Sequence, residues 1–200
     1  YILLERSSST YGTLSNDEVI EKAGPQIERA LELEPDNAES VAIKGLFVAN
    51  TDEEGEEKAI PIYKRAIELN SNLAIAYSWL AISHESLGDT ASSFPIREKA
   101  YALDPVSIIA SGNLAGTYSQ RGDLEKFEDV VSRMEKTYPR SSRPKEIRAN
   151  HARRNGDFDN FVIEIHKALQ YEPTDLRIRA SLYSLYADLG MYERAEVYLE

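Results

Sequence analysis

Residues 122–157 read GDLEKFEDVVSRMEKTYPRSSRPKEIRANHARRNGD, a stretch that opens and closes on the same pair, Gly-Asp. Working outward from it, Gly88, Gly122, Gly156 and Gly190 stand 34 residues apart at each step, and the first three precede Asp89, Asp123 and Asp157. Pro105, Pro139 and Pro173 keep that step, and Pro35 lies 70 residues before Pro105. Ala100, Met134 and Ala168 keep it too, as do Phe127, Phe161 and Ala195. Several position classes sharing one period mark an internal repeat.

Each mark has a physical cause. Gly-Asp ends one helix with a residue that accepts positive φ and opens the next with a side-chain acceptor for orphan N–H groups. Proline follows the second helix because it cannot continue one. Between these breaks apolar residues recur at helical spacing, as in Leu114, Ala115 and Tyr118, then Phe127, Val130, Val131 and Met134. A unit of two helices cannot hide its apolar faces alone, so neighbouring units must stack to make a core.

The 34-residue step carries a small residue at the eighth position (Gly45, Ala81, Ala115, Ala149), an aromatic at the eleventh (Tyr118, Tyr186) and the closing proline. In this the chain closely resembles the tetratricopeptide repeat. That resemblance implies an all-α fold, a right-handed superhelical solenoid of antiparallel helix pairs, and a single domain over residues 1–200. The register predicts repeats over 74–107, 108–141 and 142–175, with a truncated 176–200. Upstream, 38–73 fits with an insertion of about two residues in the Asn50–Glu57 turn, Ser71 standing where the proline would. A first unit, 1–37, is degenerate in its first helix. Ser15-Asn16-Asp17-Glu18 reads as a capping box opening a helix towards Glu34. Pro25, Pro61 and Pro95 fall early in second helices and are expected in the first turn, where the missing N–H is harmless. Tyr183 takes the small-residue place of the last repeat, so a different helix spacing is expected there.

A narrower resemblance rests on Tyr1–Arg6 (YILLER), Ala59–Asn70 followed by Leu73–Leu80, and above all Arg97–Leu114 (REKAYALDPVSIIASGNL). These are similar to the repeat regions of large bacterial signalling and transcription regulators with winged-helix or cyclase-type amino-terminal domains. That resemblance implies a periplasmic sensing or assembly part; without it a cytoplasmic location is expected. Since the chain opens and closes in mid-pattern, it reads as a segment of a longer protein.

Composition sets further bounds. Hydrophobic residues make up 42% of the 200 and charged residues 28%, an ordinary globular balance. Net charge is −11, with 18 acidic and 9 basic side chains in residues 1–100 and 16 and 14 in 101–200. Such acidity argues against general nucleic-acid or anionic-membrane binding. No apolar run approaches the roughly 18 residues of a membrane helix. With no cysteine, disulfides, thiolate catalysis and cysteine-ligated metals are excluded. Only three histidines occur, His84, His151 and His166, with no H-E-x-x-H, phosphate-binding loop or nucleophile elbow. His84 and Glu85 are adjacent, so on a helix they point about 100° apart, a poor catalytic dyad. The run Asp52–Glu57 lacks the alternation of a calcium loop and reads as a solvated turn. The expectation is a binding scaffold, not an enzyme, with no cofactor and no metal.

In the tetratricopeptide family the first helix of each pair lines the concave face. Carried over, that implies a groove offering Trp79 and Ile82, then Asn113 and Gln120, then Arg143, Asn150, Arg153 and Arg154, and finally Arg177. Trp79, the sole tryptophan, is either an anchor for a ligand or a packing residue between helices. Gly112 and Gly116 either leave a groove wall open or allow close helix packing. Arg140–Arg154 holds six basic residues against Glu146 alone. Guanidiniums next to amides suit a carboxylate, and the set resembles the family's clamp for a peptide's terminal acid, although the clamp's Lys and Asn positions are not reproduced in order. The alternative is a solvated basic face balancing acidic neighbours. Expected partners are therefore a protein or peptide, with an acidic segment the natural ligand. A second copy of the chain, with Val197, Tyr198 and Leu199 as an apolar edge, and RNA at the 140–154 stretch are alternatives.

Overall fold

Helix boundaries follow the punctuation of the repeat. In the computed structural model, residues 15–198 are described. They form α1 (Asn16–Leu33), α2 (Ala38–Thr51), α3 (Gly55–Leu69), α4 (Ala74–Ser86), α5 (Thr90–Leu103) and α6 (Ile108–Arg121). Next come α7 (Leu124–Thr137), α8 (Arg143–Arg154), α9 (Phe158–Tyr171), α10 (Leu176–Asp188) and the short α11 (Tyr192–Glu196). No strand occurs among the described residues. Tyr1–Arg6, the first helix of the degenerate opening unit, and Leu199 lie outside them.

Gly88, Gly122, Gly156 and Gly190 adopt φ of 82°, 74°, 73° and 71°. A Cβ at any of them would meet nothing within 4 Å, so backbone conformation and not space requires glycine. Asp89 and Asp157 then cap the next helix through Ser92 N and Asn160 N. Asp123 departs from the expectation: its side chain makes no cap bond and pairs with Lys126 at 3.3 Å instead. Ser15 and Glu18 form the expected reciprocal box, with Ser15 N donating to Glu18 at 2.9 Å and Glu18 N donating back at 3.3 Å. The prolines inside second helices need correction. Pro25, Pro61 and Pro95 sit beyond the first four residues of α1, α3 and α5, within the helix body. There each removes one i→i−4 bond, and the helices continue through it.

The chain clusters into two compact units, one ending at Ala110 and the other beginning at Ser111. In the first, each of α1 to α4 packs on the helix that follows it, and α2 also touches α4, as first helices of successive pairs should. Its core is Val41, Ala42, Ala59, Tyr63, Ala66, Ala76, Trp79 and Leu80. Gly45 lies against the Tyr63 ring, where a Cβ would come within 2.5 Å of a ring carbon. That contact explains why the eighth position is small. Gly55 is equally confined: its Cβ would fall 2.4 Å from the Val48 carbonyl oxygen.

In the second unit α7 packs on α8, α8 on α9, α9 on α10 and α10 on α11. One core cluster joins Ala149, Ala152, Phe161, Ile165, Ala168, Ile178, Leu182 and Leu185. Phe127, Val130, Val131 and Met134 follow the i, i+3, i+4, i+7 stripe of α7 and are at most 4% exposed. Burying each such side chain contributes roughly 1.5–3 kcal/mol. Ala115 and Ala149 are fully enclosed, whereas Tyr183 at the matching place is 37% exposed.

Candidate functional site

In the first unit, the two residues expected on the groove serve the core. Trp79 is 7% exposed and lies 6.1 Å from the Tyr63 ring, and Ile82 packs on the same cluster. Of the two readings of Trp79, the geometry takes the packing one. His84 Nδ1 pairs with Asp89 at 3.0 Å while Glu85 pairs with the buried Arg97, so adjacent residues serve separate partners. Of the acidic run, Glu56 is partly buried and accepts the Ser83 hydroxyl at 2.6 Å, while Lys58 pairs with Asp52. Among the described residues no cluster of three or more metal-ligating side chains occurs.

In the second unit, the basic stretch divides. Lys145 binds Glu135 at 2.6 Å. Arg148 Nη1 donates to both Glu128 oxygens at 2.8 and 2.7 Å, and its Nε lies 3.3 Å from Glu135. Burial would raise the Glu135 carboxyl, but bonds from Lys145 and Arg148 outweigh it and hold it below its ordinary value. These two cations are thus committed to α7 and are not groove residues.

Arg143 and Arg177 behave differently. One from α8 and one from α10, they approach the same oxygen, Glu146 Oε2, at 3.7 and 3.9 Å. Glu146 is only 7% exposed and also accepts the Ser142 hydroxyl at 2.8 Å. Both approaches are too long for hydrogen bonds. Among the described residues the Arg143 guanidinium makes this ion pair but no side-chain hydrogen bond, and it lies against Gly112, whose Cβ would stand 3.5 Å from Nε. Arg177 donates to Asp175 Oδ2 at 2.8 Å, which raises its own pKa further. Burial pushes Asp175 up, yet that bond and the N–H groups of Arg177 and Ile178 bring it below the usual carboxylate range.

The remaining expected residues do not converge on this pair. Arg154 Nη1 reaches the Gly116 carbonyl at 3.4 Å. Arg153 leans the other way, its guanidinium 5.8 Å from the Phe161 ring centroid. Asn113 and Asn150 are half-buried and Gln120 is exposed. The sequence reading did not foresee a cleft of about 330 Å³ between α7, α8 and α9, with Phe127, Arg148, His151, Asn155, Asp157 and Glu164 on its walls. Phe127 and His151, both lining it, stack on each other at 4.4 Å. A histidine one turn from the helix end, with an aromatic at the paired position of the preceding helix, was the available signal.

No protein-family model matches the chain. Among curated proteins, the Protein CTR9 homolog of Arabidopsis thaliana is 25% identical over 190 residues, which is 90% of this chain but 17% of that protein. The chain thus spans about a sixth of that relative's length. The TPR protein TTC0263 of Thermus thermophilus aligns with a TM-score of 0.65 and 22% identity, over 80% of this chain and 87% of that one. The structure of the human IFIT1 dimer with m7Gppp-AAAA aligns at 0.70 and 17% identity, over 92% of this chain and 46% of that one. At such identities the likeness concerns the fold. The fold is that of the tetratricopeptide repeat: helix pairs, glycine-turned and packed in sequence. The narrower resemblance to bacterial regulators gains no support from these matches.

Proposed function

We propose that this chain is a protein-interaction scaffold that binds an acidic segment of a partner on the α8–α10 face of its second unit. The observation that carries the reading is the convergence of Arg143 and Arg177 on one buried carboxylate oxygen at 3.7 and 3.9 Å. Glu146 holds both guanidiniums in place without saturating them, so a partner's carboxylate can take the forked hydrogen bonds that Glu146 does not make. Helix-mounted side chains are pre-positioned, which lowers the ordering cost of binding. Arg154, beside Gly116, extends the basic surface along α8.

Fluorescence anisotropy with a labelled acidic peptide tests this. Affinity should fall with added salt, because the contacts lie at an exposed face, and should collapse in Arg143→Ala/Arg177→Ala. A salt-independent titration, or a double variant that binds like the parent, sinks the proposal.

Self-association has one observation in its favour. Leu189, Tyr192 and Val197, around the last helix pair, are 61%, 66% and 66% exposed. Light scattering across a concentration series separates this reading, since mass that stays at one chain removes it. RNA binding is weaker, because Lys145 and Arg148, central to the basic stretch, already neutralise Glu128 and Glu135.

A further inference from the structure

The cleft between α7, α8 and α9 differs from the arginine face in sign and in chemistry. Its walls carry three carboxylates, Glu128, Asp157 and Glu164, against the single cation Arg148. Arg148 is engaged, with Glu128 through two bonds and with Glu135. Asp157 is engaged as well, accepting Asn160 N at 3.1 Å and Asn160 Nδ2 at 2.6 Å. Glu164 is half engaged: Oε1 takes Lys167 at 2.6 Å, while Oε2 is buried and accepts no hydrogen bond among the described residues. A buried carboxylate oxygen without a donor costs its full desolvation, so something of positive or donor character belongs beside it. The floor is aromatic, made by Phe127 at 1% exposure with the His151 ring stacked on it. Ser119 Oγ holds His151 Nδ1 at 2.7 Å. Burial first, and then Arg154 and Arg148, keep that ring's pKa low against the pull of Glu128, so the histidine adds no competing cation near neutral pH.

We propose that this cleft binds a primary ammonium on an aliphatic stem, as carried by a lysine side chain of a docked partner. Three features select that group. The one unpartnered carboxylate oxygen suits a compact point charge, where a guanidinium fork would want two. The half-buried His151 ring, stacked over Phe127, gives the cleft an aromatic lining that favours a cation at its face. The volume, about 330 Å³, lies at the small end of the range for ligand clefts and accommodates a four-carbon stem. This site stands apart from the α8–α10 arginine face and does not depend on it.

The test follows backbone amide NMR shifts at Asn155, Asn160 and Glu164 while N-acetyl-lysine methylamide is added, with the norleucine and arginine analogues in parallel. Saturable shifts in the millimolar range are expected for lysine, none for norleucine and weaker ones for arginine. Glu164→Gln, which preserves shape, should weaken lysine binding by at least about tenfold, the loss of one charge-assisted hydrogen bond. Lys167→Met should tighten it, because Glu164 then offers both oxygens. A merely structural role for Glu164 predicts no tightening. Equal shifts with norleucine, or an unchanged affinity in both variants, overturn the proposal. Tighter binding of 1,5-diaminopentane than of the lysine amide overturns the assignment to a partner's side chain in favour of a free amine.

Discussion

Gly45→Ala asks whether the eighth position of the repeat is small because a neighbour fills the space. An ideal Cβ there would lie 2.5, 2.7 and 3.2 Å from three atoms of the Tyr63 ring. Carbon–carbon contacts are comfortable at roughly 3.5–4.0 Å, so the ring would have to retreat by about 1 Å. It has nowhere to go: Tyr63 is 1% exposed, Ala42, Ala59 and Ala66 are at 0%, and Trp79 stands 6.1 Å away. Against a ring that cannot retreat, overpacking costs about 2–3 kcal/mol, the upper part of its usual range, while alanine's better helix propensity returns about 1 kcal/mol. Net destabilisation of about 1–2 kcal/mol is expected. Gly116→Ala is the control, for its Cβ would meet nothing within 4 Å, so the same substitution should stabilise by about 1 kcal/mol. Urea unfolding read by tryptophan fluorescence suits the first variant, because the sole tryptophan, Trp79, sits in the affected cluster; far-UV circular dichroism serves the second. Tyr63→Leu should cost less in the Gly45→Ala background than in the parent, with a coupling of about 1 kcal/mol. A Gly45→Ala protein that unfolds at the parent's urea concentration or above refutes the reasoning.

Three further outcomes are expected. Glu146→Gln keeps an acceptor for Ser142 but removes the charge beside Arg143 and Arg177, so acidic-peptide affinity and its salt slope should both increase in anisotropy titrations. Arg148→Met breaks the contacts to Glu128 and Glu135 from a side chain 21% exposed, and should lower stability by about 1 kcal/mol in urea titrations. The pKa values of His151 and His166 are lowered by burial from the ordinary 6.5. Since the unfolded chain takes up those protons more readily, their contribution is complete above about 6.5 and is lost as pH falls through the folded values. The urea midpoint should therefore drop between about pH 7.5 and about pH 5.5, and His151→Gln/His166→Gln should flatten that drop.

The candidate sites were legible only in part. Arg143 and Arg177 were readable as inward positions of consecutive first helices, and their meeting at Glu146 follows from that register. Arg148 and Lys145 looked like free basic charge because Glu128 and Glu135, 20 and 10 residues upstream, meet them only once α7 and α8 pack. Trp79 could not be assigned from its position, since a residue at the seam between helices turns either to a neighbour or to a ligand; its ring lies 6.1 Å from that of Tyr63. The Phe127–His151 cleft left only that histidine–aromatic pairing as a trace, because its walls come from three helices spread over residues 127–164.

What the chain determined by itself is everything local. Glycine's tolerance of φ near 70–80°, the capping side chains, proline's inability to continue a helix and the spacing of apolar residues are properties of a few neighbouring residues, and they place helices α1 to α11. What only the tertiary structure decided is which charges neutralise one another and which remain available. Those outcomes depend on distances of 3–4 Å between side chains that the sequence separates by tens of residues, as for Arg177 and Glu146. At that range, small differences in how helices pack choose between a closed ion pair and an open binding face.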